Sequence, residues 1–256
     1  MFLQYATRKG MLRQFGLIGF PLSHSFSPGY FSDKFTAGRI HAEYKAYPLA
    51  SLDEFPDLLE RVKPQGLNVT IPYKEKILGY LHSLDETAAA IGAVNTIRIT
   101  NNRLTGFNTD APAFQQTLRI WIGEPQKIRG ALVLGSGGAS LAVRYALHKE
   151  GIPFLVVSRS RKGDLSYSDI DKNILTQNNL IINTTPLGMA PEIAACPPLP
   201  YDALDENNFL YDLIYNPEKT LFLTEGLRRG ACIKNGKDML LLQAELAWQI
   251  WNQPVM

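Results

Sequence analysis

Five stretches of this 256-residue chain carry side chains suited to chemistry. Four are dense in hydroxyls and amides beside Gly or Pro: Ser23-His24-Ser25-Phe26-Ser27-Pro28, Asn68-Val69-Thr70-Ile71-Pro72-Tyr73-Lys74, Gly92-Ala93-Val94-Asn95-Thr96 and Gly106-Phe107-Asn108-Thr109-Asp110. Each borders an apolar run of strand character. In open α/β sheets, ligands sit beyond the carboxyl ends of the strands. Hydroxyls, amides and one Lys–Asp combination brought together there suit a small polyhydroxylated or carboxylated substrate. The fifth stretch is Gly135-Ser136-Gly137-Gly138-Ala139-Ser140, between a buried-strand run (131–134) and a helical pattern (141–150). Glycines at this place allow a tight turn and close approach of a pyrophosphate to the helix N-terminus. Ser140 stands where a third glycine is usual. The next strand, 154–157, ends in Ser158-Arg159-Ser160-Arg161-Lys162. An NAD site places a carboxylate there for the ribose 2′-hydroxyl. Here cations replace it and would attract a 2′-phosphate, with Arg159 offering a planar fork. The pattern predicts NADP over NAD. A ligand-free glycine turn and a solvated basic loop are the plainer alternatives.

The elements that must position these residues follow from periodicity and punctuation. Strands are expected at 14–20, 44–47, 66–71, 131–134, 154–157, 180–182 and 209–211, and a hairpin over 93–99 and 103–106 around Asn101-Asn102. Helices are expected at 29–37, 52–62, 75–81, 85–91, 111–121, 141–150 and along 239–251. Residues 191–200 read as a loop. The alternation predicts an α/β fold with mainly parallel sheets. On the last helix, Met239, Gln243, Leu246 and Ile250 share one face, so Gln243 needs a polar partner, either substrate or backbone.

Composition narrows the function class. The chain has 26 basic and 24 acidic residues, a formal charge of +2, and 45% hydrophobic residues. That is ample for a core, and no basic footprint for nucleic acid is present. No apolar run reaches membrane-span length, and no signal-peptide pattern opens the chain. Two cysteines, Cys196 and Cys232, fit a reducing compartment, so a cytoplasmic protein is expected. His24, His41, His82 and His148 are too scattered for a metal site, and no nucleophile-elbow pattern occurs; His24 reads as structural. Residues 1–10 lack pattern and are expected to be a flexible extension, with the working chain starting near Met11.

On Ser25-x-Ser27-Pro28, Asn68-x-Thr70-x-Pro72-x-Lys74, Gly92-Ala93-Val94-Asn95-Thr96, Asn108-Thr109-Asp110, Asn183-Thr184-Thr185-Pro186-Leu187-Gly188-Met189 and Gly236-x-x-Met239-Leu240-x-x-Gln243, the chain strongly resembles the shikimate dehydrogenase family from about residue 16 to 251. The resemblance implies NADPH-dependent reduction of 3-dehydroshikimate to shikimate in chorismate and aromatic amino-acid biosynthesis. It implies a two-domain α/β fold: a discontinuous N-terminal substrate domain (11–111 and 238–256) and a Rossmann-like NADP-binding domain (112–237). Lys74 and Asp110 resemble the catalytic pair. Ser25 and Ser27 resemble ligands of the substrate carboxylate, although Ser27 equally suits a helix cap before Pro28. Thr70, Asn95, Asp110 and Gln243 resemble groups that bind ring hydroxyls, and Tyr215 matches a further substrate contact. Toward the cofactor the matches are Gly135, Ser136, Gly137, Gly138, Ala139, Ser158, Arg159, Ser160, Thr184, with Thr185 in the same turn, Leu213 and Gly236 beside the nicotinamide, and the peripheral Glu86. The alternative for Asp110 is a helix cap, and for Lys74 a surface lysine.

Three positions depart from the family's pattern. Gly163 stands where another arginine is common, leaving Arg161 or Lys162 to assist Arg159. Ser158 replaces an asparagine. Ala113, after Pro112, replaces a glycine. The expected partner is a small-molecule substrate, with neither nucleic acid nor membrane, in a homodimer or a monomer. Two rivals remain: a quinate/shikimate dehydrogenase with broader NAD/NADP use, and a catalytically silent ligand-binding protein on the same fold.

Overall fold

The structure, a computed structural model, describes residues 11–254 apart from 24, 161 and 162. The expectations for residues 1–10, His24, Arg161 and Lys162 lie outside the described residues. The described chain separates into two compact units. One comprises the residues up to Ala88, Val94–Phe107 and those from Gln249 onward; the other comprises Ala89–Ala93 and Asn108–Trp248. The last helix is therefore grouped with the second unit up to Trp248, whereas the sequence reading divides the chain before 238.

The first unit is built on β1 (Arg13–Gly19), α1 (Ser27–Ala37), β2 (Ala42–Pro48), α2 (Phe55–Val62), β3 (Gly66–Val69), β4 (Ser83–Leu84), α3 (Glu86–Ile91), β5 (Thr96–Thr100) and β6 (Arg103–Phe107). Its sheet has the order β2-β1-β3-β5-β6-β4. The β2, β1 and β3 strands run parallel, while β5 pairs antiparallel with both β3 and β6. The sheet is thus mainly parallel, as expected, with β5 of the expected hairpin as its one reversed strand. The β5–β6 hairpin turns through Asn101 and Asn102, both at positive φ (50° and 62°), which short polar side chains tolerate. Two expected helices come out differently. Residues 52–54 form a 3-10 turn under a Ser51 capping box, and α2 starts afresh where Pro56 stands in its first turn. Residues 76–80 form only a 3-10 turn. On one face of this sheet Ile18, Phe55, Leu58, Leu67, Ile77 and Ile97 form the core. Phe15, Phe31, Phe35 and Tyr44 form an aromatic cluster with Trp251, whose Nε1 donates to the Ile97 carbonyl at 3.0 Å.

The second unit continues with α4 (Asp110–Ile122), β7 (Ala131–Leu134), α5 (Gly138–Lys149), β8 (Phe154–Val157), α6 (Lys172–Gln177), β9 (Leu180–Asn183), β10 (Phe209–Asp212), α7 (Leu221–Arg228), β11 (Cys232–Lys234) and most of α8 (Lys237–Asn252). Its five strands are all parallel in the order β11-β10-β9-β7-β8. Alternating side chains serve opposite faces, as a doubly covered sheet requires. Val133, Ile182 and Tyr211 join the α4–α5 core, whereas Leu132, Leu134, Ile181 and Leu210 join a core with Phe222 and Leu223 of α7. The sequence reading missed α6, α7, β11 and the two-residue β4. Asp171 and Thr220, whose side chains accept from Ile174 N–H at 2.8 Å and Leu223 N–H at 3.4 Å, were the helix-start signals available for α6 and α7.

Candidate active site

In the first unit, topology alone gathers the polar segments. The parallel β1 and β3 end at one edge, and the antiparallel β5 begins there, with Asn68 opposite Thr96. The loop after β1 carries Ser25 and Ser27, the loop after β3 carries Thr70 and Lys74, and Asn95 immediately precedes β5. The loops are tied by backbone bonds: Phe20 N–H to the Ile71 carbonyl (3.0 Å), Thr70 N–H to Ile18 (2.9 Å) and Val94 N–H to Lys74 (2.8 Å). Beneath them runs a buried polar network. Tyr44 Oη donates to Asn68 Oδ1 at 2.7 Å. Asn68 Nδ2 donates to the Asn95 carbonyl and to Thr96 Oγ1, both at 3.2 Å. Thr96 Oγ1 donates to Asn95 Oδ1 at 3.2 Å, which fixes the side of Asn95 that carries its donors. Burial pushes the Tyr44 phenol up, partly offset by a hydrogen bond from Ser27. Ser27 is buried as the first residue of α1, one place inside the cap position, which Phe26 occupies. Lys74 is half-buried. Glu86 is exposed at the start of α3, and Asp85 accepts that helix's cap bonds from Thr87 and Ala88 N–H.

In the second unit, Asp110 is buried as the first residue of α4. Just ahead of it, Asn108 Oδ1 accepts from Ala111 N–H at 3.1 Å. A carboxylate in the first turn is favoured by the helix dipole. Every residue assigned to the cofactor except Glu86 lies at the carboxyl edge of the parallel sheet, in a loop or, for Gly138 and Ala139, in the first turn of α5. Gly135–Ala139 follow β7, Ser158–Ser160 follow β8, Thr184 follows β9, Leu213 and Tyr215 follow β10, and Gly236 follows β11. The order reverses beside β7, the switch point at which such sheets bind ligands. Gly135 has φ +109°, and a Cβ there would stand 2.8 Å from Thr184 Oγ1. At Gly137, which precedes α5, a Cβ would meet nothing within 4 Å, leaving room for a pyrophosphate against the helix N-terminus. Ser140, in the third-glycine place, is fully buried. The hydroxyls of Ser136, Ser158 and Ser160 form a chain (3.2 and 3.0 Å) beside the exposed Arg159. Asp164, the carboxylate of that loop, is turned inward, accepting from Val156 N–H at 2.8 Å. A Cβ at Gly163 would lie 2.8 Å from Ser158 N and 2.9 Å from the Val156 carbonyl. That is why the arginine often found at this place has no room here. The residues present therefore fit a dinucleotide carrying a 2′-phosphate.

Gln243 takes one of its two expected partners. The buried face of α8 runs through Met239, Ala244, Ala247 and Trp251, and Gln243 is only half-buried beside it. Its Nε2 donates to the Leu240 carbonyl at 2.8 Å, the backbone alternative of the sequence reading. Among the described residues no group of His, Cys, Asp and Glu could hold a metal ion, and no helix is long and apolar enough to cross a membrane.

A glycine loop opening a helix at the switch point of an all-parallel sheet defines a Rossmann-like dinucleotide-binding module, here joined to a second α/β unit with a polar carboxyl edge. Residues 17–97 match the family model described as the shikimate dehydrogenase substrate binding domain. A shikimate dehydrogenase (NADP(+)) of Caldanaerobacter subterraneus is 35% identical over 93% of this chain and 91% of its own. One of Carboxydothermus hydrogenoformans is 36% identical over 93% and 90%. The crystal structure of shikimate 5-dehydrogenase from Thermus thermophilus, solved with NADP(H) and shikimate, superimposes with a TM-score of 0.82 at 33% identity, covering 94% and 93% of the two chains. The chain belongs to the shikimate dehydrogenase family.

Proposed function

We propose that this protein catalyses the reversible NADPH-dependent reduction of 3-dehydroshikimate to shikimate, a step of chorismate and aromatic amino-acid biosynthesis, in the cytoplasm. The observation that carries the reading is its identity of about one third with NADP-dependent shikimate dehydrogenases along nearly the whole of both chains. We assign residues 11–111 and 238–256 to substrate and 112–237 to cofactor. When bound, NADPH supplies the hydride. Lys74 gives its ammonium proton to the substrate oxygen as the ketone becomes an alcohol, and takes a proton back in the reverse direction. Asp110 is the partner group: a carboxylate favours a protonated lysine and accepts from a ring hydroxyl. Ser25 and Ser27 receive the substrate carboxylate, and Thr70, Asn95, Tyr215 and Gln243 the rest of the ring. For Gln243 this requires its amide to leave the Leu240 carbonyl. Arg159 with Ser158 and Ser160 receives the 2′-phosphate, and Gly135, Ser136, Gly137, Gly138 and Ala139 the pyrophosphate, with Thr184 in a further cofactor-binding turn, Leu213 and Gly236 beside the nicotinamide and Glu86 at the periphery.

One assay tests this: purified protein with shikimate or quinate, each with NADP or NAD. Turnover highest with shikimate and NADP is the expected result. Preference for quinate or NAD would establish the broader dehydrogenase instead, and no turnover with any pairing would leave a silent binding protein.

A further inference from the structure

One buried carboxylate ties the loops after β9 and β10, both assigned to the cofactor, to the start of α7. Asp212 closes β10 and is fully buried. Its Oδ1 accepts from Asn183 Nδ2 at 3.1 Å and from Ile214 N–H at 3.0 Å, and its Oδ2 from Thr220 Oγ1 at 2.6 Å. Asn183 passes the constraint on. Its Oδ1 accepts from the N–H and the hydroxyl of Thr185 at 3.0 and 2.7 Å, and its Nδ2 reaches the Leu187 carbonyl at 3.3 Å. Leu213 N–H donates to the Asn183 carbonyl and Gly236 N–H to the Ile214 carbonyl, both at 3.0 Å. A Cβ at Gly236 would stand 2.1 Å from the Leu213 carbonyl oxygen, so the loops after β10 and β11 touch backbone to backbone. Every bond to Asp212 comes from a donor, so the site is built for a carboxylate rather than a carboxylic acid.

That ionised form is not the comfortable one. Burial pushes the Asp212 carboxyl up to about 6, against the pull of its bonds from Thr220, Ile214 and Asn183. Beside it stands the Tyr201 phenol, which feels Asp212 together with Cys196 and Glu225. A neutral, well-packed residue would hold the loops without a buried charge.

We propose that Asp212 is a positioning residue for the cofactor: its ionised carboxylate holds the Thr184 and Leu213–Tyr215 loops, and through the Ile214 carbonyl the Gly236 loop, in the arrangement that receives the cofactor, and its protonation loosens them. This rests on the cofactor assignment above. NADPH affinity then falls with pH below about 6, by at most about tenfold per pH unit for a single proton. The test is NADPH fluorescence titration from pH 5 to 8 on the wild-type protein, Thr220→Val, Thr220→Ser and Asp212→Asn, with thermal unfolding to verify each fold. The 2′-phosphate itself titrates near about pH 6, but identically for all four proteins, so it cancels in variant-to-wild-type ratios. Thr220→Val removes a bond that favours the carboxylate and moves the midpoint to higher pH; Thr220→Ser restores it; Asp212→Asn loses the protein's share of the pH limb. A Thr220→Val midpoint equal to wild type, or an Asp212→Asn protein with the full wild-type limb, overturns the proposal. Wild-type protein that binds no NADPH at any pH overturns the cofactor reading itself, and this inference with it.

Discussion

The side chains given chemical roles are ordinary residues in enforced positions. Lys74 leaves β3 on a loop whose backbone is held by Val94, and Asp110 heads a helix whose dipole favours its charge. Lys74→Ala is expected to lower turnover by about 10²–10⁴-fold, the span of acid–base catalysis; a steady-state assay at saturating substrate and cofactor reads it. Arg159 is the described cation of the loop after β8, and Gly163 leaves no space for a second one at its own position. A charge-assisted bond of about 1.5–3 kcal/mol corresponds to about 10–100-fold in affinity. Arg159→Ala should therefore raise the NADP KM by that factor and leave the NAD KM nearly unchanged, which parallel kinetics with the two cofactors will show. The types and order of these residues were legible in the sequence. What was not legible is that Asp164 faces inward, that Gln243 bonds its own helix, and that Asn108 accepts from the first turn of α4.

Among the elements, the short strands decide the site. A strand of four residues such as β3 or β9 ends its ladder where the functional loop begins, so register determines which side chains meet at the edge. The elements read most securely were those with strong local signals: the apolar 131–134 run before the glycine loop, and the hairpin at Asn101-Asn102. The 75–81 pattern was read as a helix because helical spacing in so short a window does not distinguish an α-helix from a 3-10 turn. The stripe on α8 was rotated for a related reason: spacing alone could not rank Gln243 and Leu246 against the small Ala244 and Ala247, which allow closer packing. Trp251, at the end of that helix, is the element-scale keystone of the first unit. It stacks on Phe15 at 4.9 Å between ring centroids, and at Gly66 a Cβ would lie only 2.3 Å from its Nε1. Trp251→Ala should destabilise the protein by about 3–5 kcal/mol, and Trp251→Phe by about 1 kcal/mol beyond any repacking, for the lost bond to Ile97. Urea unfolding followed by far-UV circular dichroism measures both.

For the molecule as a whole, Asp212 links stability to pH with a definite sign. Its carboxyl titrates at about 6 in the fold, above the usual 3.8. The folded state therefore holds this proton more tightly than the unfolded chain. The contribution is fully present below about pH 4 and is lost as pH rises through 6, by about 3 kcal/mol in total. The stability of wild type relative to Asp212→Asn should accordingly fall between pH 4 and pH 6 and stay level above, as denaturant melts at a series of pH values will show. Local information was enough to establish the family, the glycine loop and the cationic residue behind it, because motif chemistry and strand–loop–helix punctuation act over a few residues. The strand orders of the two sheets, the position of the unit boundary within α8, the closed space at Gly163 and the bonds that gather on Asp212 were decided only by the tertiary structure. Each depends on which distant segments share an edge or exclude one another's side chains, and such close packing between remote parts of the chain leaves no period or spacing in the sequence to read.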